Sequence, residues 1–263
     1  MAKPIKGPGI LFVKAAITPS PGNPLNEEQY LHWYDDDHIA EIIETSGMPN
    51  AFRWFHVDKT PGNGKPTPEC PRPYLAFYPM LELAFTQGPE FKKIRVKSDM
   101  LPGTGVCYDM ADTDVGYYAL VEQRGSGNSE PADDATDEEI NEFFDQASLS
   151  GKLARVGADP LQQAKTVSKL EKYQRSLRFR LLHARTNAQS RILKGLSAAT
   201  DEPAPEPPTW MQIHVFSAEP QTDARSAIKN DSHNLLKNAK QIESHGYRLQ
   251  KAHGQKKFFK DAE

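Results

Sequence analysis

Cysteine is nearly absent from this chain: Cys70 and Cys107 are the two in 263 residues, and they sit in separate segments without metal-ligand spacing. Nothing here calls for a disulfide framework or a zinc ribbon, and two free thiols fit a reducing compartment. No apolar run approaches the length of a bilayer span, and the N-terminus has no signal-peptide core. The expectation is a cytoplasmic protein with no membrane partner. Net charge is also scarce, at −3 from 32 basic against 35 acidic residues, so the chain carries no basic footprint for nucleic acid. Phosphate-binding loops are missing, because the Gly-Asn-Gly at 62–64 lies among prolines with no helix after it. Nucleotide cofactors are therefore not expected. No Gly-x-Ser-x-Gly elbow is present either, which argues against acyl hydrolysis.

What is present reads as one pattern stated twice. The first copy runs Gly9-Ile-Leu-Phe-Val-Lys14, then a helical stretch ending Trp33-Tyr34-Asp35-Asp36-Asp37-His38, then Phe52-Arg53-Trp54-Phe55-His56, then Tyr74-Leu-Ala-Phe-Tyr78. The second, fainter copy runs Gly116-Tyr-Tyr-Ala-Leu-Val121, a helical stretch with Phe143-Phe144-Asp145, then Leu177-Arg178-Phe179-Arg180, then Trp210-Met-Gln-Ile-His214. This alignment places Ser148 opposite His38, so only the first copy keeps a titratable group there. One working half and one supporting half follow.

Within the first half, strands are expected at 10–17, 51–57, 74–80 and 106–110. Helices are expected from Asn26 as N-cap to residue 46, and over 81–96 with a break at Gly88-Pro89. The second half gives strands at 116–123, 177–185, 210–217 and 247–252, helices at 137–156 and within 223–244, and an inserted helix at 160–174. Residues 124–136, 198–209 and the five-proline stretch 60–73 read as exposed connections. The βαββαβ order is the ferredoxin-like plan, whose sheet leaves one face uncovered. Two such sheets placed face to face bury that face and remove free edges. The fold class is thus α+β, with tandem ferredoxin-like repeats closing an intramolecular barrel of the dimeric type. The N-terminal repeat covers 1–123, 124–136 is a linker, and the degenerate C-terminal repeat covers 137–263 with 116–123 as its first strand.

The segment Trp33-Tyr34-Asp35-Asp36-Asp37-His38, together with Ala51-Phe52-Arg53, Tyr74-Leu-Ala-Phe-Tyr78 and Ser98-Asp-Met-Leu-Pro-Gly103, resembles the EthD-type dimeric α+β barrel proteins, in their long two-repeat fungal form. The likeness covers 8–123 well and 116–253 weakly. It implies a monomer with an internal pseudo-dimer, or a homodimer, and an active-site histidine at the position of His38. Relatives of that superfamily include polyketide cyclases, decarboxylases of anthraquinone precursors, cofactor-free anthrone-type monooxygenases and haem-handling enzymes, so the fold narrows the chemistry without fixing it.

Tyr30, Tyr34 and His38 recur every four residues and share a helix face. Asp35, three residues before His38, is placed to hold its ring N–H, and a histidine near pKa 6.5 suits proton transfer to and from a phenol or activated carbon. The catalytic candidates are His38, Asp35 and Tyr34. Tyr78 and Tyr108 are candidates to hydrogen-bond an oxyanion, Arg53 to hold a carboxylate, and Phe12, Trp33, Trp54 and Phe77 to form aromatic walls for a flat hydrophobic phenolic ligand. A metal is not expected: His32 and His38 lie about 120° apart round a helix, and no pairing of the nearby acids gives more than two ligands. The function expected first is cofactor-independent lyase or cyclase chemistry, decarboxylating or cyclising an aromatic polyketide-like metabolite of secondary metabolism. The alternatives are a cofactor-free anthrone-type monooxygenase and a non-catalytic small-molecule-binding protein of a biosynthetic pathway.

Overall fold

A computed structural model describes residues 4–18, 24–125, 152–156, 172–197, 207–216 and 243–255. Eight antiparallel strands close into a barrel: β1 (Gly9–Ile17), β2 (Asn50–His56), β3 (Tyr74–Met80), β4 (Ala111–Gly125), β5 (Lys152–Val156), β6 (Tyr173–Arg185), β7 (Trp210–Phe216) and β8 (Ser244–Gly254). Their order round the barrel is β1-β3-β2-β8-β5-β7-β6-β4. Taken as two quartets, this is β4-β1-β3-β2 followed by β8-β5-β7-β6, so the second set of four strands repeats the order of the first. The quartets join at two seams, β2 against β8 from Asn50↔Gly254 to His56↔Tyr247, and β4 against β6 from Val115↔Arg185 outward. Closure leaves no unpaired edge in the barrel.

Strand alternation sorts the apolar side chains onto two faces. Ile10, Phe12, Phe52, Trp54, Leu75, Phe77, Tyr118, Phe179, Ile213 and Tyr247 form one cluster drawn from all round the ring, which is the barrel interior. Their neighbours in sequence, among them Leu11, Ala51, Ala76, Tyr78 and Tyr117, form a second cluster outside it with the helices. Each fully buried phenylalanine of the interior contributes about 1.5–3 kcal/mol by its removal from water.

The helices are short. Residues 27–43 form one continuous arm made of α1 (Glu27–Trp33), a π turn (Tyr34–His38) and α2 (Ile39–Ile43). Asn26 starts it with a capping box, accepting from Gln29 N at 2.9 Å while Gln29 Oε1 accepts from Asn26 N. A 3₁₀ turn (Leu83–Gln87) and α3 (Pro89–Lys93) replace the single helix expected over 81–96. Gly88 is extended and Pro89 opens the next helix, so the break is complete. The strand expected at 106–110 is instead α4 (Cys107–Met110); β4 begins at Ala111 and runs through 116–123, which is its outer part and not a new strand. Residues 152–156, expected as a helix end, are β5, and Tyr173 and Gln174 already belong to β6. An unforeseen helix, α5 (Asn187–Leu193), follows β6 behind a second capping box from Thr186 and Gln189. The helices expected within 137–151, 160–171 and 223–242, with Phe143, Phe144, Asp145 and Ser148, lie outside the described residues. Among the described residues no helix is long and apolar enough to cross a membrane.

His214 on β7 has no solvent exposure; its Nδ1 lies 2.7 Å from Ser176 Oγ, which in turn meets Tyr173 OH at 2.8 Å. Burial pushes this imidazole down to about 3. Its folded pKa is below the unfolded value near 6.5, so the unfolded chain binds the proton preferentially and stability falls as pH drops through that window. Urea unfolding at pH 7 and pH 4.5 is expected to show about 2–3 kcal/mol of acid loss from this residue. His214→Gln should flatten the profile by that amount, and an unchanged slope would mean that His214 takes up its proton without unfolding.

Candidate active site

The helical arm and the outer face of β1, β3 and β4 enclose a cavity walled by Leu11, Val13, Tyr30, Trp33, Tyr34, His38, Tyr78, Tyr108 and Val115. The enclosed chamber is about 90 Å³ and, with its mouth, the void reaches about 760 Å³. A chamber of that size is below the ~150 Å³ that takes one benzene ring, so any larger ligand keeps part of itself in the mouth.

The π turn sets the geometry of His38. Ile39 N–H reaches back five residues to Tyr34 O, which widens the helix by one residue. Trp33 and His38 thereby stack, with ring centroids 5.1 Å apart and planes at 20°, while Tyr34 lies 5.6 Å from the imidazole and stacks on Tyr30 at 5.5 Å. Burial pushes the His38 imidazole down to about 4. The charges of Lys194 and Arg95 act in the same direction, and Asp37 and a backbone hydrogen bond at Arg95 oppose it. At neutral pH the ring is an uncharged base.

The hydroxyls around it remain protonated. Tyr34 and Tyr78 meet OH to OH at 3.2 Å, and burial pushes Tyr34 up to about 12 and Tyr78 well above its usual value. Burial also raises Tyr108. The Cys107 thiol, pushed up to about 12 by burial, is no nucleophile. Two cations from the second half complete the wall: Arg185 at the end of β6 and Lys194 just beyond α5.

A wider cleft of about 710 Å³ is lined by Asn26, Glu27, Phe55, His56, Lys59 and Arg248. There Lys59 Nζ contacts Glu27 at 2.5 Å and Tyr74 OH donates to the same carboxylate at 2.9 Å, so these charges satisfy one another. The smaller chamber is the better candidate because it holds a half-buried base beside two cations with no acid in ion-pair contact among the described residues.

No family model matches the chain, and no curated protein matches it. Among solved structures it is similar to an anthrone oxidase-like protein, with a TM-score of 0.45 and 10% identity over 97% of this chain and 95% of that one. It is also similar to a "putative monooxygenase" from Fusobacterium nucleatum, with a TM-score of 0.41 and 9% identity over 95% of each chain.

Of the residues singled out from sequence, His38, Tyr34, Tyr78, Tyr108 and Trp33 line the chamber. Tyr108 does so from α4 and not from a strand. Phe12, Trp54 and Phe77 point into the barrel, on the opposite face of the sheet, and form no wall of the cavity. Asp35 does not orient His38. Its carboxylate receives a two-pronged bond from Arg53, Nε to Oδ1 at 2.7 Å and Nη2 to Oδ2 at 2.8 Å, with His253 Nε2 at 3.2 Å and Lys251 Nζ at 3.3 Å. Burial alone would raise this carboxyl, but His253 and Arg53 hold it well below the usual carboxylate range. Arg53 thereby commits its Nε and Nη2 to Asp35, its buried Nη1 has no hydrogen-bond partner, and it does not line the chamber. The acid whose field reaches His38 is Asp37, itself bonded by Arg95 at 2.6 Å. Arg185 and Lys194 were not expected from sequence, because the site was assigned to the first half alone.

Proposed function

We propose that the chain is a cofactor-independent enzyme in which His38 removes a proton from a phenolic or similarly activated aromatic ligand, in the manner of a cofactor-free monooxygenase. The observation that carries this is the placement of the His38 imidazole on the wall of an enclosed aromatic chamber, against Trp33 and Tyr34, where burial favours its uncharged form. Decarboxylation, the chemistry expected first from sequence, needs a proton delivered to the ring carbon, and burial disfavours the protonated imidazole that would deliver it. Proton acceptance is the step it suits. The oxyanion so formed lies among the hydroxyls of Tyr34, Tyr78 and Tyr108, and the aromatic walls keep water from it. Where the acidic group is a ring-activated methylene, its carbanion forms a C–O bond with dioxygen, and loss of water leaves a carbonyl. One CH₂ and one O₂ become one C=O and one H₂O. The EthD-type resemblance supports the assignment, as does the repeated strand order, from which we read β1–β4 and β5–β8 as tandem ferredoxin-like repeats.

The test is to incubate the purified protein with an anthrone and with aryl carboxylic acids, with and without oxygen, following products by mass spectrometry. Gain of one oxygen with loss of two hydrogens, only when oxygen is present, is the expected result. Loss of carbon dioxide without oxygen would return the assignment to a decarboxylase, and tight binding without turnover at any pH would make this a binding protein.

A further inference from the structure

Resting on the proposed ligand class, we infer that the molecule taken up by the His38 chamber carries a carboxylate, received by Arg185 and Lys194 of the second half. Both side chains line the cavity. Lys194 Nζ donates to Lys92 O at 2.9 Å and Ile94 O at 2.8 Å, which uses two of its three donors and gives it no counter-charge. Arg185 lies with its guanidinium carbon 5.3 Å over the Tyr117 ring, and its Nε is buried with no hydrogen-bond partner. Neither has an acid in ion-pair contact among the described residues. Glu41, whose field reaches Lys194, is held by Arg95 at 3.2 Å, and Asp37 is held by the same arginine.

Two positive charges near each other beside apolar and aromatic walls, each lacking an acid, are costly to keep in the resting protein. The two repel, and burial together with Arg185 lowers the Lys194 pKa. A charge that appears only during reaction leaves that cost in place between turnovers, whereas an anion carried in by the ligand removes it on binding. A carboxylate matches the planar fork of a guanidinium and the single free donor of the lysine. The second half of the chain, which has lost any counterpart of His38 that the sequence reveals, thus keeps a role in choosing the ligand.

Binding of 3-hydroxybenzoate and of its uncharged isostere 3-hydroxybenzamide, measured by calorimetry at low salt, tests this. The carboxylate is expected to bind about tenfold or more tightly than the amide in the natural protein. Arg185→Gln and Lys194→Met should each reduce the ratio of carboxylate to amide affinity, and Arg185→Lys should retain part of it. Equal binding of the two probes, no binding of either, or a preference that survives both substitutions overturns the inference. Because binding is read and not turnover, the two proposals fail separately. A charge preference without any turnover sinks the base chemistry alone, and turnover of neutral substrates without a preference sinks the carboxylate alone.

Discussion

Asp35→Asn is expected to destabilise the fold by about 3–5 kcal/mol, the cost of leaving a buried charge without its partner. The Arg53 and Asp35 side chains are only 8% and 9% exposed, and their two-pronged bond joins the helical arm to β2. His253 and Lys251 on β8 close on the same carboxylate from the other quartet of strands, so one acid ties the arm to both sides of a barrel seam. Because Asp35's folded pKa is depressed, its contribution is present above the unfolded value near 3.9 and is lost as pH falls below it. Urea denaturation at pH 7 measures the effect. Arg53→Met should cost a similar amount, and the double variant less than the sum of the two singles, since neither charge is then stranded. A loss under about 1 kcal/mol would place the pair among solvated surface bridges. Asp35→Asn should also leave the pH dependence of any His38-driven reaction unmoved, which separates it from the orienting role that sequence spacing assigned to it.

That spacing misled for a physical reason. Three residues on a regular α-helix bring Asp35 near His38, but the π turn widens the helix between them, and a guanidinium from β2 competes for the carboxylate with two aligned bonds. The i, i+4 face of Tyr30, Tyr34 and His38 survived, because it is selected by packing against the sheet. Strand positions in the first half were legible from their aromatic and β-branched runs, yet not their orientation. A sheet buried on both faces offers no polar alternation, so Phe77 and Tyr78 look alike in sequence although one fills the barrel and the other lines the chamber. The second half gave less. The Thr186-x-x-Gln189 capping box is a readable helix start at the end of β6, and the helix it opens, α5, carries the chain to Lys194. The short β5 gave no strand signal apart from the stretch read as helical before it. Its place becomes evident only when the ring closes between β7 and β8.

His38→Ala is expected to lower kcat/KM by about a hundred- to ten-thousand-fold, the range for removing a positioned general base, while leaving the barrel folded. The more discriminating result is the pH profile of the natural protein. With its pKa pushed down to about 4 by burial, His38 should be fully competent as a base from pH 8 to pH 5.5, and activity should fall only as pH drops through about 4. A solvated histidine would instead give a limb near 6.5. Asp37 opposes the depression, so Asp37→Asn should move the limb lower still, and Lys194→Met, which removes a nearby positive charge, should move it higher. Opposite shifts from these two substitutions would locate the titrating group between them. A limb that stays at 6.5 in all three proteins would mean that the ring is hydrated at rest, and a protonated His38 would then be available below that pH. In that case proton delivery to a ring carbon, and with it decarboxylation, becomes the chemistry the same cavity supports.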